Sequence, residues 1–242
     1  MSKFRRYDYL LSALPGLEPI GSVPPMSKRS FLEQVIEASG PVETVEAILL
    51  SDDIRQYQGL LAGEIEQSKI DLAVLTLDKT ESEPVLPGFL LPADDSQERE
   101  IERLSTDAIW SRYFHYADQV AGRNHSDFLR AWIGFEVGLR NALVTARAVV
   151  LDLEPAAYLV VPELANQDTD YNSILSAWSS ASNPLAALEA LDKARWDWLC
   201  ENGGWFSFTA NEIEVYAAKL ILLHHWRRIL SEKKNQFDLV QA

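Results

Sequence analysis

The sequence predicts a mainly α-helical protein, a multi-helix bundle of stacked helical hairpins. Helix-start and helix-stop residues recur along most of the chain, and apolar residues recur at helical spacing in its longer segments. Only residues 70–77 and 158–161 have a strand-like composition. We therefore expect residues 1–242 to form a single helical domain. The more specific form of this prediction is a partial funnel built from pseudo-repeats.

The composition is that of a globular protein with an acidic surface. Of 242 residues, 47% are apolar and 24% are charged, which is enough apolar surface for a buried core. The formal net charge is -14, whereas binding to a phosphate backbone needs a basic surface, so we expect no nucleic acid partner. The single cysteine, Cys200, cannot close an internal disulfide, and no run of about 18 apolar residues predicts a membrane span.

The first segment fits two kinds of secondary structure. Residues 7–14 are compatible with a short strand or a short helix. An irregular loop should follow, because four prolines interrupt the next residues. These prolines are Pro15, Pro19, Pro24 and Pro25.

Three short stacked helices are predicted after this loop. Ser27 or Ser30 begins the first, which should end at Gly40. Pro41 suits the first turn of the second helix. Ser51, followed by two aspartates, should begin the third.

Residues 76–97 are rich in proline and acids and resist regular structure, so we expect a surface excursion there. Between residues 76 and 107 nine acids face three bases, a net charge of -6. Five bases and one acid give residues 219–234 a net charge of +4. Each run is typical of a solvated surface, and the alternatives are attraction between the two runs or to a charged partner.

Two long helices are predicted to form a hairpin in the middle of the chain. The first covers residues 97–121 and ends at Gly122, and Ser126 begins the second, the longest helix, which reaches about residue 153. Apolar residues recur in the second helix at steps of four and three, which is typical of a packed core seam. Small alanines occupy the later part of this seam and would allow close helix approach, and a groove for a partner helix is the alternative interpretation. The seam consists of Phe128, Trp132, Phe135, Leu139, Ala142, Ala146 and Val149.

Two further helices complete the predicted bundle. Asn183 and Pro184 begin one that a glycine pair at 203–204 ends. Thr209 and Glu212 form a capping box at the start of the last helix, which is apolar on nearly all sides and faces the core or a partner.

Seven residues are the candidates for structural or partner contacts. Glu136 and Arg140 are spaced as a favourable helical ion pair, and we expect this pair to fix hairpin packing. Lys219 lies among apolar residues of the last helix, and Glu136 or Asp53 is its expected partner. The full set is Asp53, Arg55, Glu136, Arg140, Arg147, Lys219 and Trp226.

A weak internal repeat connects some of these candidates. Residues 53–64 align without gaps to residues 136–147, so that Asp53 falls on Glu136. Glu214 in the last helix gives a third copy of the pattern. Such spacing is typical of repeated helical hairpins.

The sequence has no catalytic constellation. His115, His125, His224 and His225 form neither an HExxH motif nor a Glu-x-x-His pair, so no metal site is predicted. No glycine-rich phosphate loop follows a strand, and no nucleophile has a recognisable catalytic setting. We expect no enzyme activity and no cofactor.

Three segments carry a resemblance to a known family. They are Tyr7-Asp-Tyr-Leu-Leu-Ser-Ala-Leu-Pro15, Pro25-Met-Ser-Lys-Arg-Ser-Phe-Leu32 and Tyr216-Ala-Ala-Lys-Leu-Ile-Leu-Leu-His-His-Trp226. They resemble an uncharacterised bacterial family associated with V-type ATPase gene clusters. Its helices are in turn similar to those of the central-stalk socket of the A/V-type ATPase, known as the C-type subunit and, in eukaryotes, as the d-type subunit.

The resemblance implies a non-catalytic socket that joins the central rotor stalk to the proteolipid ring of the membrane. The implied partners are other V-type ATPase subunits, and the implied location is cytoplasmic, at the inner face of the membrane. Membrane contact would then occur only through the complex. Two alternatives remain open at this point, an ATPase assembly factor or adaptor and a helical protein-binding module unrelated to the ATPase.

Overall fold

Helices make up most of the chain. The structure, a computed structural model, describes residues 5–78, 84–91, 106–204 and 206–240. These ranges hold eight α-helices and one two-stranded antiparallel sheet, which confirms the predicted mainly α fold. The helices are α1 (Arg5–Ala13), α2 (Lys28–Glu37), α3 (Val42–Leu61), α4 (Thr106–Asn124), α5 (Asp127–Val150), α6 (Tyr171–Ser179), α7 (Pro184–Asn202) and α8 (Ala210–Val240), and the strands are β1 (Thr76–Leu77) and β2 (Pro84–Val85).

The chain divides into two compact units. Unit 1 consists of Met1–Asp53, Leu72–Val74 and Asp192–Ala242, and unit 2 consists of Ile54–Asp71 and Leu75–Leu191. Helices α3 and α7 each begin in one unit and end in the other. The single domain expected from the sequence stays a prediction, because a division into two compact units does not test it.

Unit 1 is built on α8, the longest described helix, against which α1 and α2 pack. The Phe31 ring of α2 stacks on the Tyr216 ring of α8, with centroids 5.0 Å apart. Ser27 is the N-cap of α2, and its hydroxyl accepts a hydrogen bond from the Ser30 amide at 3.0 Å. The first segment, which the sequence left between strand and helix, is the helix α1.

Helix α3 is continuous, so the helix start predicted at Ser51 is wrong. The Ser51 hydroxyl donates to the Ile48 carbonyl at 2.7 Å, a bond within the helix that caps nothing. Asp52 and Asp53 are fully buried and bind other side chains and backbone groups. Serine and aspartate predicted a boundary because they favour helix caps, a preference that their burial in tertiary contacts overrode.

In unit 2, α4 and α5 pack against each other as the predicted hairpin. The turn passes through His125 at a φ of 52°, and the Ser126 hydroxyl caps α5 by accepting from the Leu129 amide at 3.0 Å. The first part of the seam, from Phe128 to Leu139, is buried. Its last residue, Val149, is 67% exposed, so the seam does not run the length of the helix.

The described remainder of unit 2 holds a small sheet, the helix α6 and several irregular segments. Strands β1 and β2 pair antiparallel, with Thr76 opposite Val85. Residues 158–161, expected to resemble a strand, form no strand in the described chain. Tyr158 ends a tight turn, Leu159 is extended and Val161 has a left-handed backbone, while the Asn141 side chain binds the Val160 backbone. The short helix α6 was not foreseen, although Asp170 caps its first turn.

Two sequence predictions reach beyond the described residues. Residues 79–83 and 92–97 of the acidic excursion, and residues 97–105 of the first hairpin helix, lie outside them.

The capping box of the last helix is displaced, because the Glu212 carboxylate accepts from the amides of Ser207 and Phe208 rather than from Thr209. The helix itself begins at Ala210, beside the predicted position.

Candidate functional site

A buried charge cluster lies in unit 1 and consists of Lys28, Asp52, Asp53 and Arg228. The Lys28 Nζ donates to the Asp52 carboxylate at 2.6 Å and to the Asp53 carboxylate at 3.3 Å. The side chains of these three residues are 0% exposed. Arg228 completes the cluster by binding Asp52 through both terminal nitrogens, at 2.6 and 3.3 Å.

Asp53 also binds the backbone of a distant segment. Its carboxylate accepts from the Ala73 amide at 3.0 Å and from the Val74 amide at 2.7 Å. Residues 72–74 belong to unit 1 although the chain on both sides of them belongs to unit 2. Asp53 therefore ties this short segment to α3 through charge-assisted hydrogen bonds.

The cluster balances two positive with two negative side chains. Burial of a single ion would cost several kcal/mol, and that cost is offset only where partners satisfy each charge. Here the two carboxylates share Lys28, and they meet Arg228 and two backbone amides as further donors. The cluster therefore joins α2, α3 and α8 in one arrangement.

A cavity of about 450 Å³ lies in the same unit, between the end of α1, the end of α7 and the first turns of α8. Its wall is largely apolar, with side chains such as Leu11, Leu14, Leu199, Val215 and Phe208. Apolar clefts of this size with a few polar groups are typical of small-molecule sites.

Three polar side chains of α8 reach the wall of this cavity. The Tyr216 hydroxyl donates to the Pro15 carbonyl at 3.0 Å, and burial raises its pKa to about 12. The Glu212 carboxylate is held by the amides of Ser207 and Phe208. The Lys219 Nζ lies 5.2 Å from the centre of the Trp196 ring, a cation–π contact.

The structure changes the expected partners of two candidate residues. Arg140 binds Asp107 of α4 at 2.7 Å and lies 5.4 Å from the centre of the Trp110 ring, whereas the sequence paired it with Glu136. Lys219 was expected to meet Asp53 or Glu136, but its described contact is with Trp196, while Asp53 binds Lys28. Arg140 and Lys219 therefore each contact a residue that the sequence did not predict as a partner.

The remaining candidates are spread over both units. Glu136 and Arg55 are half-buried, on α5 and on the unit 2 part of α3. Arg147 is exposed and lies 5.5 Å from the centre of the Trp178 ring. Trp226 is buried in unit 1, where Gly21, at a φ of 100°, approaches its indole.

Three organising residues were missed by the sequence analysis. Lys28 and Arg228 were not singled out, because each stands next to an arginine in the sequence. Only the tertiary fold shows which cation of each pair joins the cluster. Asn141 binds the Val160 amide and carbonyl, both at 2.9 Å. The predicted repeat aligned Asp53 with Glu136. In the structure, however, the α5 residue that binds the backbone of a distant segment, as Asp53 does in α3, is Asn141.

Among the described residues, no group of three or more histidine, cysteine, aspartate or glutamate side chains is placed to hold a metal ion. In the same part of the chain, no helix is both long and apolar enough to cross a bilayer. Comparison of the chain with protein-family models, curated proteins and solved structures gave no match.

Proposed function

We propose that this protein is a non-catalytic subunit of a bacterial V-type ATPase, a socket-like component that links the central rotor stalk to the membrane proteolipid ring. One observation carries the proposal. The three sequence segments that resemble the ATPase-associated family, residues 7–15, 25–32 and 216–226, all belong to unit 1, and the third contacts each of the other two.

These contacts join the segments in pairs. The Tyr216 hydroxyl binds the Pro15 carbonyl at 3.0 Å, and its ring stacks on Phe31. The His224 Nε2 lies 2.8 Å from the Met26 carbonyl. The resemblance therefore falls on one packed core of helices, which supports its interpretation as a shared folded unit.

The surface of unit 2 offers apolar area for a partner. At the end of α5, Val149, Val150 and Leu151 are 67%, 84% and 66% exposed. Exposed apolar side chains that form a continuous patch are a mark of protein interaction sites, and these three residues supply apolar area for one. A socket needs such a surface, because its function is contact with other subunits rather than bond-making chemistry.

The test is quantitative mass spectrometry of the intact V-type ATPase, purified from native membranes through a tag on another subunit. One copy of this chain per complex, retained after a high-salt wash, is the expected result. Recovery only from partly assembled complexes would favour an assembly factor. Absence from every ATPase fraction would refute the proposal and leave a helical binding module unrelated to the ATPase.

Paired surface variants make the same experiment sharper. Val150→Asp should reduce retention in the washed complex by about tenfold or more, because it places a charge in the exposed apolar surface. Val23→Asp is the matched control, since Val23 is 71% exposed and lies outside this surface. Both variants should keep the parent unfolding temperature, and equal retention of the two would argue against the α5 end as the contact.

A further inference from the structure

The unit 1 cavity combines an apolar wall with a cation that forms no ion pair among the described residues. Lys219 of α8 is one of the residues that line the cavity, and its Nζ lies 5.2 Å from the centre of the Trp196 ring of α7. Lys219 as a whole residue is half-buried, and its ammonium meets no carboxylate among the described residues. It is therefore prepared to bind an anion.

We propose that the unit 1 cavity binds an amphipathic anion, a single apolar chain that ends in a carboxylate. The chain lies between α1, α7 and α8, and the carboxylate meets Lys219. This site goes beyond the proposed ATPase role and does not depend on it.

The other polar groups of the cavity favour this orientation of the ligand. Glu212 is seven residues before Lys219 on α8, which places it about 10.5 Å away along the helix axis. Its carboxylate already accepts from two amides, and a second carboxylate beside it would be repelled. The Tyr216 hydroxyl between them is engaged with Pro15 and, with its raised pKa, carries no charge near neutral pH. The head group is therefore directed to the Lys219 end.

The remaining wall suits a hydrocarbon chain. A volume of about 450 Å³ lies within the range of ligand cavities in proteins. An alkyl chain that enters removes its own apolar surface and that of the wall from water, which favours binding. Phe206, which is 75% exposed, lies at the wall and adds apolar area near the opening to solvent.

Isothermal titration calorimetry of the full chain tests the apolar part of the proposal. Octanoate, decanoate and dodecanoate are titrated as monomers near neutral pH. Each added methylene pair should tighten binding by about tenfold, since one buried methylene contributes about fourfold at most. Affinity independent of chain length, or no binding across the series, would overturn the proposal.

The charge of Lys219 is tested by a matched pair of variants and ligands. Lys219→Met keeps the apolar stem and should weaken decanoate binding about tenfold or more, while binding of decanol, which has no charge, stays unchanged. Lys69→Met is the control, because Lys69 is exposed in unit 2 and pairs with Glu66. Equal losses for decanoate and decanol in Lys219→Met would contradict the assigned role.

A filled cavity provides a separate test of location. Ser12 is exposed on α1 and reaches the cavity wall, so Ser12→Trp adds bulk without removing a core side chain. This variant should keep its unfolding temperature and lose binding of decanoate and decanol together. Retained binding would place the ligand elsewhere and overturn the assignment.

Membrane lipid is a second source of the same chemistry, and flotation with anionic phospholipid vesicles distinguishes it. We expect the parent protein to bind monomeric decanoate and the Ser12→Trp variant to lose this binding. We also expect the parent protein and the variant to float with the vesicles to the same small extent. Flotation with vesicles in the absence of monomer binding would refute a site for a single free chain.

Discussion

Lys28 is the residue whose burial most constrains the packing of unit 1. A fully buried ammonium is tolerated because Asp52 and Asp53 both accept from it, at 2.6 and 3.3 Å. Replacement of such a cluster by well-packed apolar side chains is often neutral or stabilising, so the ions are not an optimum of stability. Their physical effect here is to allow one arrangement of α2, α3 and α8, since any shift would separate the charges.

Asp53→Asn should destabilise the protein by about 3–5 kcal/mol. The amide that replaces one carboxylate oxygen carries hydrogens that would face Lys28 or the Ala73 and Val74 amides, which are donors themselves. The measurement is the free energy of unfolding in urea.

Asp197→Asn is the matched control for this variant. Asp197 is exposed and forms an ion pair with Lys193 on the same helix, so its loss should leave the urea midpoint nearly unchanged. A cost below about 1 kcal/mol for Asp53→Asn would show that the buried cluster does not hold unit 1 together.

Arg140→Glu should lower the stability of the protein by about 1 kcal/mol. The new carboxylate faces the Asp107 carboxylate, and the cation–π contact with the Trp110 ring is lost. The effect is modest since Asp107 is 53% exposed. Adding Asp107→Arg should recover part of the loss by restoring an ion pair with reversed charges. Additive losses in this double-mutant cycle, measured by thermal unfolding, would exclude a direct interaction.

At the scale of elements, helix α5 organises unit 2. It packs on α4, on α6 and on the irregular segment after its own end. Two glycines on one face, Gly134 and Gly138, permit this crowding. Tyr171 of α6 lies against Gly138, and its hydroxyl donates to the Gly134 and Phe135 carbonyls at 3.4 Å.

Gly138→Ala should destabilise the protein, although alanine is intrinsically favoured over glycine in helices by about 1 kcal/mol. The added methyl group would overlap the Tyr171 ring, so α6 must move or the tyrosine must change its rotamer. The free energy of unfolding, measured in urea, reports the net effect.

The Tyr171→Ala background separates the clash from the helix propensity. There the methyl group has space, and Gly138→Ala should stabilise by up to about 1 kcal/mol. The same sign of effect in both backgrounds would contradict the close contact of α5 and α6.

At the scale of the whole molecule, surface charge and internal charge act differently. The chain carries a net charge of -14, and like charges on its surface repel one another. In the buried charge cluster, Lys28, Asp52 and Asp53 are 0% exposed, and Arg228 is 19% exposed. Dissolved salt should therefore reduce the surface repulsion and leave the cluster nearly unaffected.

Sodium chloride should raise the thermal unfolding midpoint, with most of the rise complete at about 0.15 M, where the screening length falls to about 8 Å. The same titration near the isoelectric point, pI ≈ 4.7, is the control and should show a smaller rise because the net charge is near zero there. A midpoint that falls with salt would mean that favourable surface ion pairs outweigh the net repulsion.

Helix boundaries were predictable wherever a local signal acts alone. Ser27, Ser126 and Asn183 begin helices as their side chains predict, because each bonds an amide three residues further on. Ser51 carried the same signal and failed, since its position inside unit 1 gave the helix better contacts than a break. The short helix α6 was missed because its apolar pattern covers only nine residues.

The sequence by itself determined that this protein is mainly α-helical, because helical periodicity and caps are decided by residues within a few positions of one another. The tertiary structure alone decided which charges meet, since Arg228 and Asp52 are 176 residues apart. It also decided that Lys28 rather than Lys219 is the fully buried cation, that Asn141 holds residues 158–161, and that a cavity remains beside Lys219. These features arise from the approach of distant segments, about which local pattern carries no information.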